Sequence, residues 1–443
     1  MRRSLLLVLL LSAACISATP LYPPRPPASP GLPIADPPPS RIVAHATVTA
    51  KALGAAMSEA IPDTGRGTFP LLGKERAYSW ERDPLALSFG QGRIGVATRI
   101  RVRAELPVGH LEITLDARIA AEPVITSEYV ARMQSIEVAV SSPDAKVKVA
   151  DALAGVLEKV RAEVTGRVAA FSYDLRPMMN EAYARLTKPI DLPLGDAHGC
   201  ASLVVLGVEA GPTVLADGVE KDFALVVTPQ ITLPCAPAGD PPPLPPLANV
   251  ASIPSGPFTV KIPIAARYDE LAKAMSLTFT DGRYHFSKEF PGLYMEHPEV
   301  YAAKDELVLK VRIRGPVHKL GGDHELDGDL YLVGHPAVVD NEVRIPDLEP
   351  TIETKSFLLK MKALLEGDEI RDSARAALRL DLGERLAGVR KKLGADLSFA
   401  SGEGCARADV VKIEIAGVHP HGEYLRVQVE VTARAAAYLP CPP

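Results

Sequence analysis

The chain has 443 residues and a formal net charge of −5, with 49 Lys+Arg against 54 Asp+Glu. That mixed balance lacks the basic footprint of a nucleic-acid binder. After the N-terminus no run of about eighteen apolar residues is present to cross a bilayer as a helix. The length exceeds one ordinary core, so two domains are expected.

Two features are unusual: forty-one prolines and an odd count of five cysteines. Hydrophobic residues make up 47% of the chain and aromatics only 5%, which favours an aliphatic interior over a base-stacking surface.

The N-terminus sets the compartment. Arg2 and Arg3 precede an apolar run from Leu5 to Leu11, and small residues follow. This is the order of a secretory signal. The sequence LSAAC ends at Cys15 and resembles a bacterial lipobox, in which the cysteine is lipidated and becomes the new N-terminus. Ser12 stands where Leu is commoner. A plain signal peptide cleaved nearby, for instance after Ala18, is the other reading. Ile16 is not the aspartate associated with inner-membrane retention, so an outer-membrane, periplasm-facing location in a Gram-negative envelope is expected.

Residues 16–39 follow as a proline-rich stalk. Ten of the twenty residues from Pro20 to Pro39 are proline. Such a segment forms neither helix nor interior strand. Extended at roughly 3 Å per residue, it would hold a folded body ~60 Å or less from a membrane.

Two modules are then expected, 40–235 and 255–443, separated by a proline-rich linker at 236–254. Each opens with an extended segment and a short helix, over 42–57 and 260–275. An alternating stretch follows in each, over 84–106 and 298–317. In the first, Ile94, Val96, Thr98, Ile100 and Val102 share one face. Leu111, Ile113, Leu115 and Ala117 continue it, and Leu307, Leu309, Val311 and Ile313 repeat it in the second. One buried and one solvated face is the pattern of an antiparallel sheet.

A long helical pattern comes next. From Asp144 to Lys188 apolar residues fall at steps of three and four, including Leu153, Val156, Val160, Val164 and Val168. Pro177 should kink or interrupt this helix near Asp174. The second half carries Phe357, Met361, Leu364, Leu378, Leu382, Leu386 and Leu393 in the same manner, with Gly367 and Gly383 weakening it.

Each half closes on a glycine-cysteine, two strands and a leucine-proline-cysteine. Ala216-Asp217-Gly218-Val219 and His419-Pro420-His421-Gly422 are the expected turns. Cys200 and Cys235 flank the first turn about evenly, as Cys405 and Cys441 flank the second. Each pair should therefore meet across the open end of its hairpin as a disulfide, worth about 3–4 kcal/mol. A CxC-type metal site lacks support in the spacing. Disulfides require an oxidising compartment, in agreement with export. The odd cysteine is then Cys15, the lipid anchor.

The economical fold is α+β: two tandem repeats, each a curved antiparallel sheet wrapped around a long amphipathic helix. The lipobox, the stalk, Ser79-Trp80…Pro84 and Arg185-Leu186-Thr187-Lys188-Pro189-Ile190 together resemble an uncharacterised bacterial lipoprotein family, domain of unknown function 4403. The element order is similar to that of tubular lipid-binding (TULIP) proteins such as the bactericidal permeability-increasing family. That resemblance implies an apolar tunnel for acyl chains, lined by Leu153, Val156, Val160, Val164 and Val168 and by Leu378, Leu382 and Leu386.

No G-x-S-x-G elbow, P-loop, H-E-x-x-H or EF-hand loop occurs, so no enzyme and no cofactor or metal is expected. The acidic stretch from Gly321 to Asp329 has the wrong spacing for a calcium loop and reads as a hairpin turn between Val317 and Leu330. His419 and His421 read as a solvated turn, with a metal pair as the sharper alternative. His297, His318 and His335 share no ligand spacing. Arg390-Lys391-Lys392 reads as a helix C-terminal charge complement, or as a contact with anionic lipid headgroups. Trp80 reads as a core or rim aromatic.

Two functions remain open from sequence. One is an envelope lipoprotein that binds lipid or another hydrophobic molecule. The other is a structural or assembly lipoprotein with solid cores.

Overall fold

A computed structural model describes residues 19–21, 24–31, 33–142, 151–194, 197–232, 242–277, 279–285, 292–317, 324–351, 375, 380–381, 383–401 and 404–442. In chain order these form β1 (Thr19–Leu21), β2 (Ser40–Thr49), α1 (Ala50–Ala60), β3 (Thr64–Leu71), β4 (Lys74–Arg82), β5 (Ala86–Gly90), β6 (Arg93–Glu105), β7 (His110–Ile125) and β8 (Val130–Ser141). Next come α2 (Asp151–Ala170), β9 (Ser172–Asp174), α3 (Arg176–Thr187), β10 (Ile190–Leu194), β11 (Ala197–Leu215), β12 (Gly218–Thr232) and β13 (Leu247–Asn249). The second half holds β14 (Phe258–Arg267), α4 (Tyr268–Leu277), β15 (Tyr284–His285), β16 (Tyr294–Ala303), β17 (Glu306–Val317), β18 (His324–Gly334), β19 (Ala337–Val339), β20 (Glu342–Arg344) and β21 (Glu349–Pro350). It closes with β22 (Leu380–Asp381), α5 (Gly383–Asp396), β23 (Phe399–Ser401), β24 (Gly404–His421) and β25 (Tyr424–Leu439).

Strand dominates. One sheet has the order β3-β4-β6-β7-β8-β9, with β5 on β6. A second runs β10-β11-β12-β2-β25-β24-β23, with β13 on β11 and β14 on β25. A third runs β1-β18-β17-β16-β15, with β21 on β18.

The chain divides into two compact units, neither continuous in sequence. Unit 1 takes residues 1–37, 262–387 and 414–430; unit 2 takes 38–261, 388–413 and 431–443.

The period-2 patterns form strands as expected. On β6, Ile94, Val96, Ile100 and Val102 are buried, and Arg99, Arg101 and Arg103 are exposed. Ile113, Leu115 and Ala117 of β7 face the same interior. In unit 1, Leu307, Leu309, Val311 and Ile313 of β17 join Leu326, Leu330 and Leu332 of β18 in one core. Val317 pairs with His324, so residues 324–329 of the acidic stretch lie in strand β18, and residues 321–323 lie outside the described residues.

The helical expectation is corrected in length. Over residues 151–187 the pattern forms two helices, α2 and α3, with the expected interruption near Asp174 taken up by β9, while residues 144–150 lie outside the described residues. Pro177 is the reason: it falls in the first turn of α3, where its missing N–H leaves no bond unmade. α2 rests on β8 and β3 of one sheet. No ten-turn helix enclosed by a sheet is present among the described residues. Most of the matching pattern in the second half, including Phe357, Met361 and Leu364, lies outside them.

Neither proline-rich segment is free over its described part. Thr19, Pro20 and Leu21 pair in parallel with Leu326, Asp327 and Gly328. Ser29 N–H donates to Ala302 O, and Lys304 N–H to Ser29 O. Tyr301 Oη donates to Pro26 O at 3.1 Å. In unit 2, Leu247–Asn249 pair in parallel with Val208–Ala210, and Tyr129 Oη donates to Pro245 O at 2.5 Å. Proline gives up its donor but keeps its carbonyl. A proline-rich chain can therefore be held by donors from a folded surface and by the N–H groups of its few other residues.

Candidate functional site

A concavity lies in unit 2, where β12, β2, β25 and β24 stand side by side. It encloses about 750 Å³, within the range of small-molecule sites, roughly 300–1,000 Å³. Its apolar lining is Val43, Ala408, Ala435, Ala436 and Tyr438. The polar lining is His45, Asp222, Ser255, Ser398, Arg407, Asp409 and Arg434.

Local sequence explains the hollow. β2 and β25 run in parallel, with Ala44 opposite Ala435 and His45 opposite Ala436. Where larger side chains would fill the space, β25 offers the run Ala435-Ala436-Ala437. A methyl group leaves the adjoining volume open.

The polar groups are ordered by the register. His45 lies opposite Asp222 across β2 and β12. Its Nδ1 is 2.9 Å from Asp222 Oδ1, and its Nε2 is 3.7 Å from Glu220 Oε2. Arg407 donates to Pro442 O at 2.9 Å. Ser398 Oγ donates to Gly394 O at 2.9 Å and accepts from Ala408 N–H at 3.0 Å. Arg434 and Asp409 are exposed and have no ion-pair partner among the described residues. The groove thus combines an aliphatic and aromatic wall with two guanidinium groups. Lys221, next to Asp222, is buried and lies outside it. Its ammonium donates to Gly211 O at 2.6 Å, and burial pushes its pKa down.

The disulfide between Cys405 and Cys441 has a Cα–Cα distance of 5.2 Å. It closes the open end of the β24–β25 hairpin, beside Arg407 and Tyr438. Cys200 is also disulfide-bonded, while Cys235 lies outside the described residues. Two irregularities in the β11–β12 ladder place Cys200 opposite Thr232.

The residues proposed from sequence to line a tunnel do not border this groove. Val160 (2% exposed) packs with Phe69, Tyr78 and Trp80, and Val168 (0%) with Leu53, Met57 and Ile94. Val164 is half-buried between those two clusters. Large side chains from α1, β3, β4 and β6 pack in the same clusters as these valines. Leu386 packs against the unit 1 core. The side chains of Leu153 and Val156 lie outside the described residues, as do Cys15, Leu378 and Leu382.

The motif residues are structural. Trp80 is buried, and Arg82 (3% side-chain exposure) donates to Ile61 O at 2.6 Å, capping the end of α1. Arg185 stacks on Phe399 at 4.6 Å. Among the described residues no cluster of three or more His, Cys, Asp or Glu could hold a metal. Sequence reading missed the groove because its signal, an alanine run in a late strand, is weak until β2 is placed beside it.

Comparison with solved structures finds similarity to lipopolysaccharide binding protein, at 11% identity over 90% of this chain and 99% of that one, with a TM-score of 0.28. P47 from Clostridium botulinum A2 is similar at 9% identity over 88% and 96%, with a TM-score of 0.27. Neither superposition is close enough to transfer a fold or a ligand. No curated protein matches in sequence. The family model "Domain of unknown function (DUF4403)" matches residues 38–439.

Proposed function

The chain belongs to the DUF4403 family, and from that premise we propose an exported bacterial lipoprotein with a binding rather than a catalytic role. Cys15 carries the anchor, the outer membrane is its site, and the folded body faces the periplasm. The charge, apolar run and small-residue order ending at Cys15 support the anchor. The Cys405–Cys441 disulfide supports an oxidising compartment. The two halves are one module written twice, in the manner of tubular lipid-binding proteins. Supporting this, the order strand, helix, strands, helix, long hairpin recurs from β2 to β12 and from β14 to β25.

The ligand is a hydrophobic molecule, held in the groove of unit 2. The observation that carries this is the wall of Val43, Ala408, Ala435, Ala436 and Tyr438, with Arg407 and Arg434 beside it. Aliphatic surface needs no directional bonds to bind an apolar group, and exposed guanidinium groups suit an anionic head. Native mass spectrometry of the purified protein tests the reading. Wild type should carry a co-purifying lipid or other amphiphile, and Ala436→Phe, which fills the groove, should lose it. A wild-type protein that is reproducibly empty, or a filled variant that still carries its ligand, sinks the proposal.

One observation bears on the second reading, a structural lipoprotein with solid cores: Val160 and Val168 of α2 pack among buried side chains. An empty wild-type spectrum is the outcome that reading expects.

A further inference from the structure

The first proline-rich segment is built into unit 1 as a strap. Its contacts are spread along its length, from the parallel pairing of β1 with β18, through Ser29 beside Ala302, to Asp36. Arg25 forms an ion pair with Glu299 and lies 4.8 Å over the Tyr301 ring. Arg426, with a side chain only 6% exposed, donates to two acceptors of the strap: Ile34 O at 2.9 Å and Asp36 Oδ1 at 2.8 Å. A cation this buried demands such partners. At Gly31 the backbone runs so close to Pro420 that a Cβ would lie 2.0 Å from the Pro420 carbonyl oxygen. Only glycine permits that approach.

The docked strap changes what an anchor at Cys15 means. Only residues 16–18 separate that cysteine from Thr19, the start of β1. Four peptide steps span at most about 15 Å, whereas the whole stalk over residues 16–39, undocked and extended, would reach ~60 Å.

We propose that the strap is a short fixed tether that rests the β1 edge of unit 1 on the lipid surface. The partner is the bilayer carrying the anchor, and the reach is set by docking rather than by chain length. This rests on the reading of Cys15 as the lipid anchor.

The experiment uses the full lipidated protein in vesicles of phosphatidylethanolamine and phosphatidylglycerol with an acceptor dye on a lipid headgroup. A donor dye is attached through Asp305→Cys, an exposed position next to the strap-docking residue Lys304. Energy transfer should be high in this background. It should fall several-fold when Gly31→Val or Asp36→Lys is added, each of which lifts the strap without touching the unit 1 core. Hydrogen exchange over residues 24–39 should rise in the same variants. Intact-peptide mass spectrometry of the N-terminus separates the two readings. A Cys15 without lipid overturns the anchor and the tether with it. A lipidated Cys15 with equally low transfer in all proteins overturns the tether alone. So does high transfer that persists in variants whose strap exchange has risen.

Discussion

Trp80 Nε1 donates to Glu163 Oε2 across 3.3 Å, joining the single tryptophan of the chain to the middle of α2. The Tyr78 hydroxyl donates to the same oxygen at 3.4 Å. Burial, and then the nearby Glu163 charge, push the Tyr78 pKa up. One helix carboxylate therefore satisfies two aromatic donors of β4 that the core would otherwise leave unpaired. Glu163→Ala should cost about 1–3 kcal/mol, the range for orphaning buried donors. Glu163→Gln, which keeps an acceptor, should cost less. Denaturant unfolding followed by Trp80 fluorescence measures both, and equal losses would count against the hydrogen-bond account.

Gly65 faces Trp80 across the β3–β4 ladder. A Cβ at Gly65 would lie 2.4 Å from the indole ring. The tryptophan lies over bare backbone, and a side chain there would evict it. Gly65→Val should destabilise by about 1–3 kcal/mol and shift the emission to longer wavelength. Unchanged emission would mean that the ring has another place to go.

Removing the Cys405–Cys441 bond should cost about 2–4 kcal/mol in the chain-entropy account. Its effect should extend to the groove, because the bond closes the hairpin that carries Arg407 and Tyr438. Paired Cys405→Ser and Cys441→Ser substitutions should lower both the melting temperature and the ligand occupancy seen in native mass spectra. Full occupancy at reduced stability would separate the staple from the site.

His335 and Asp347 give unit 1 a pH-dependent clasp. His335 Nδ1 lies 2.6 Å from Asp347 Oδ2, and the His335 N–H donates to Asp347 Oδ1 at 2.7 Å. The bond to Asp347 raises the His335 pKa above 6.5. Burial pushes the Asp347 carboxyl up, but the bonds from His335 outweigh it and hold the carboxyl below 3.8. The His335 contribution is complete below about 6.5 and fades as pH rises through the elevated value. The Asp347 contribution is present above about 3.8 and fades as pH falls through the depressed one. The clasp therefore stabilises most in the mildly acidic window between them. Titration of the His335 ring by NMR should show a pKa that Asp347→Asn returns toward 6.5. An unchanged pKa in that variant would assign the shift to other groups.

The strands and the placement of the Cys405–Cys441 bridge were legible in the sequence because each rests on local chemistry. Alternation at Ile94, Val96, Ile100 and Val102 specifies which face of β6 is buried, whatever covers it. The turn at Gly422, with cysteines at similar distances on both sides, brings Cys405 and Cys441 together through the antiparallel ladder alone. Pro177 marks the interruption between α2 and α3 through its own missing N–H.

What only the tertiary structure decided depends on neighbours far apart in the chain. The stripe from Val160 to Val168 is the same whether it lines a tunnel or a solid core. In the fold, Val160 packs with Phe69, Tyr78 and Trp80, side chains that the stripe itself does not announce. The groove appears only when Ala435 and Ala436 come to lie beside β2, nearly four hundred residues earlier in the chain. The proline-rich segment says in sequence that it cannot pair with itself. That it is strapped down follows from donors on Tyr301 and Arg426, which lie more than 270 residues away. Local patterns determine which faces and turns a chain makes; what fills or covers them is set by the contacts of the finished fold.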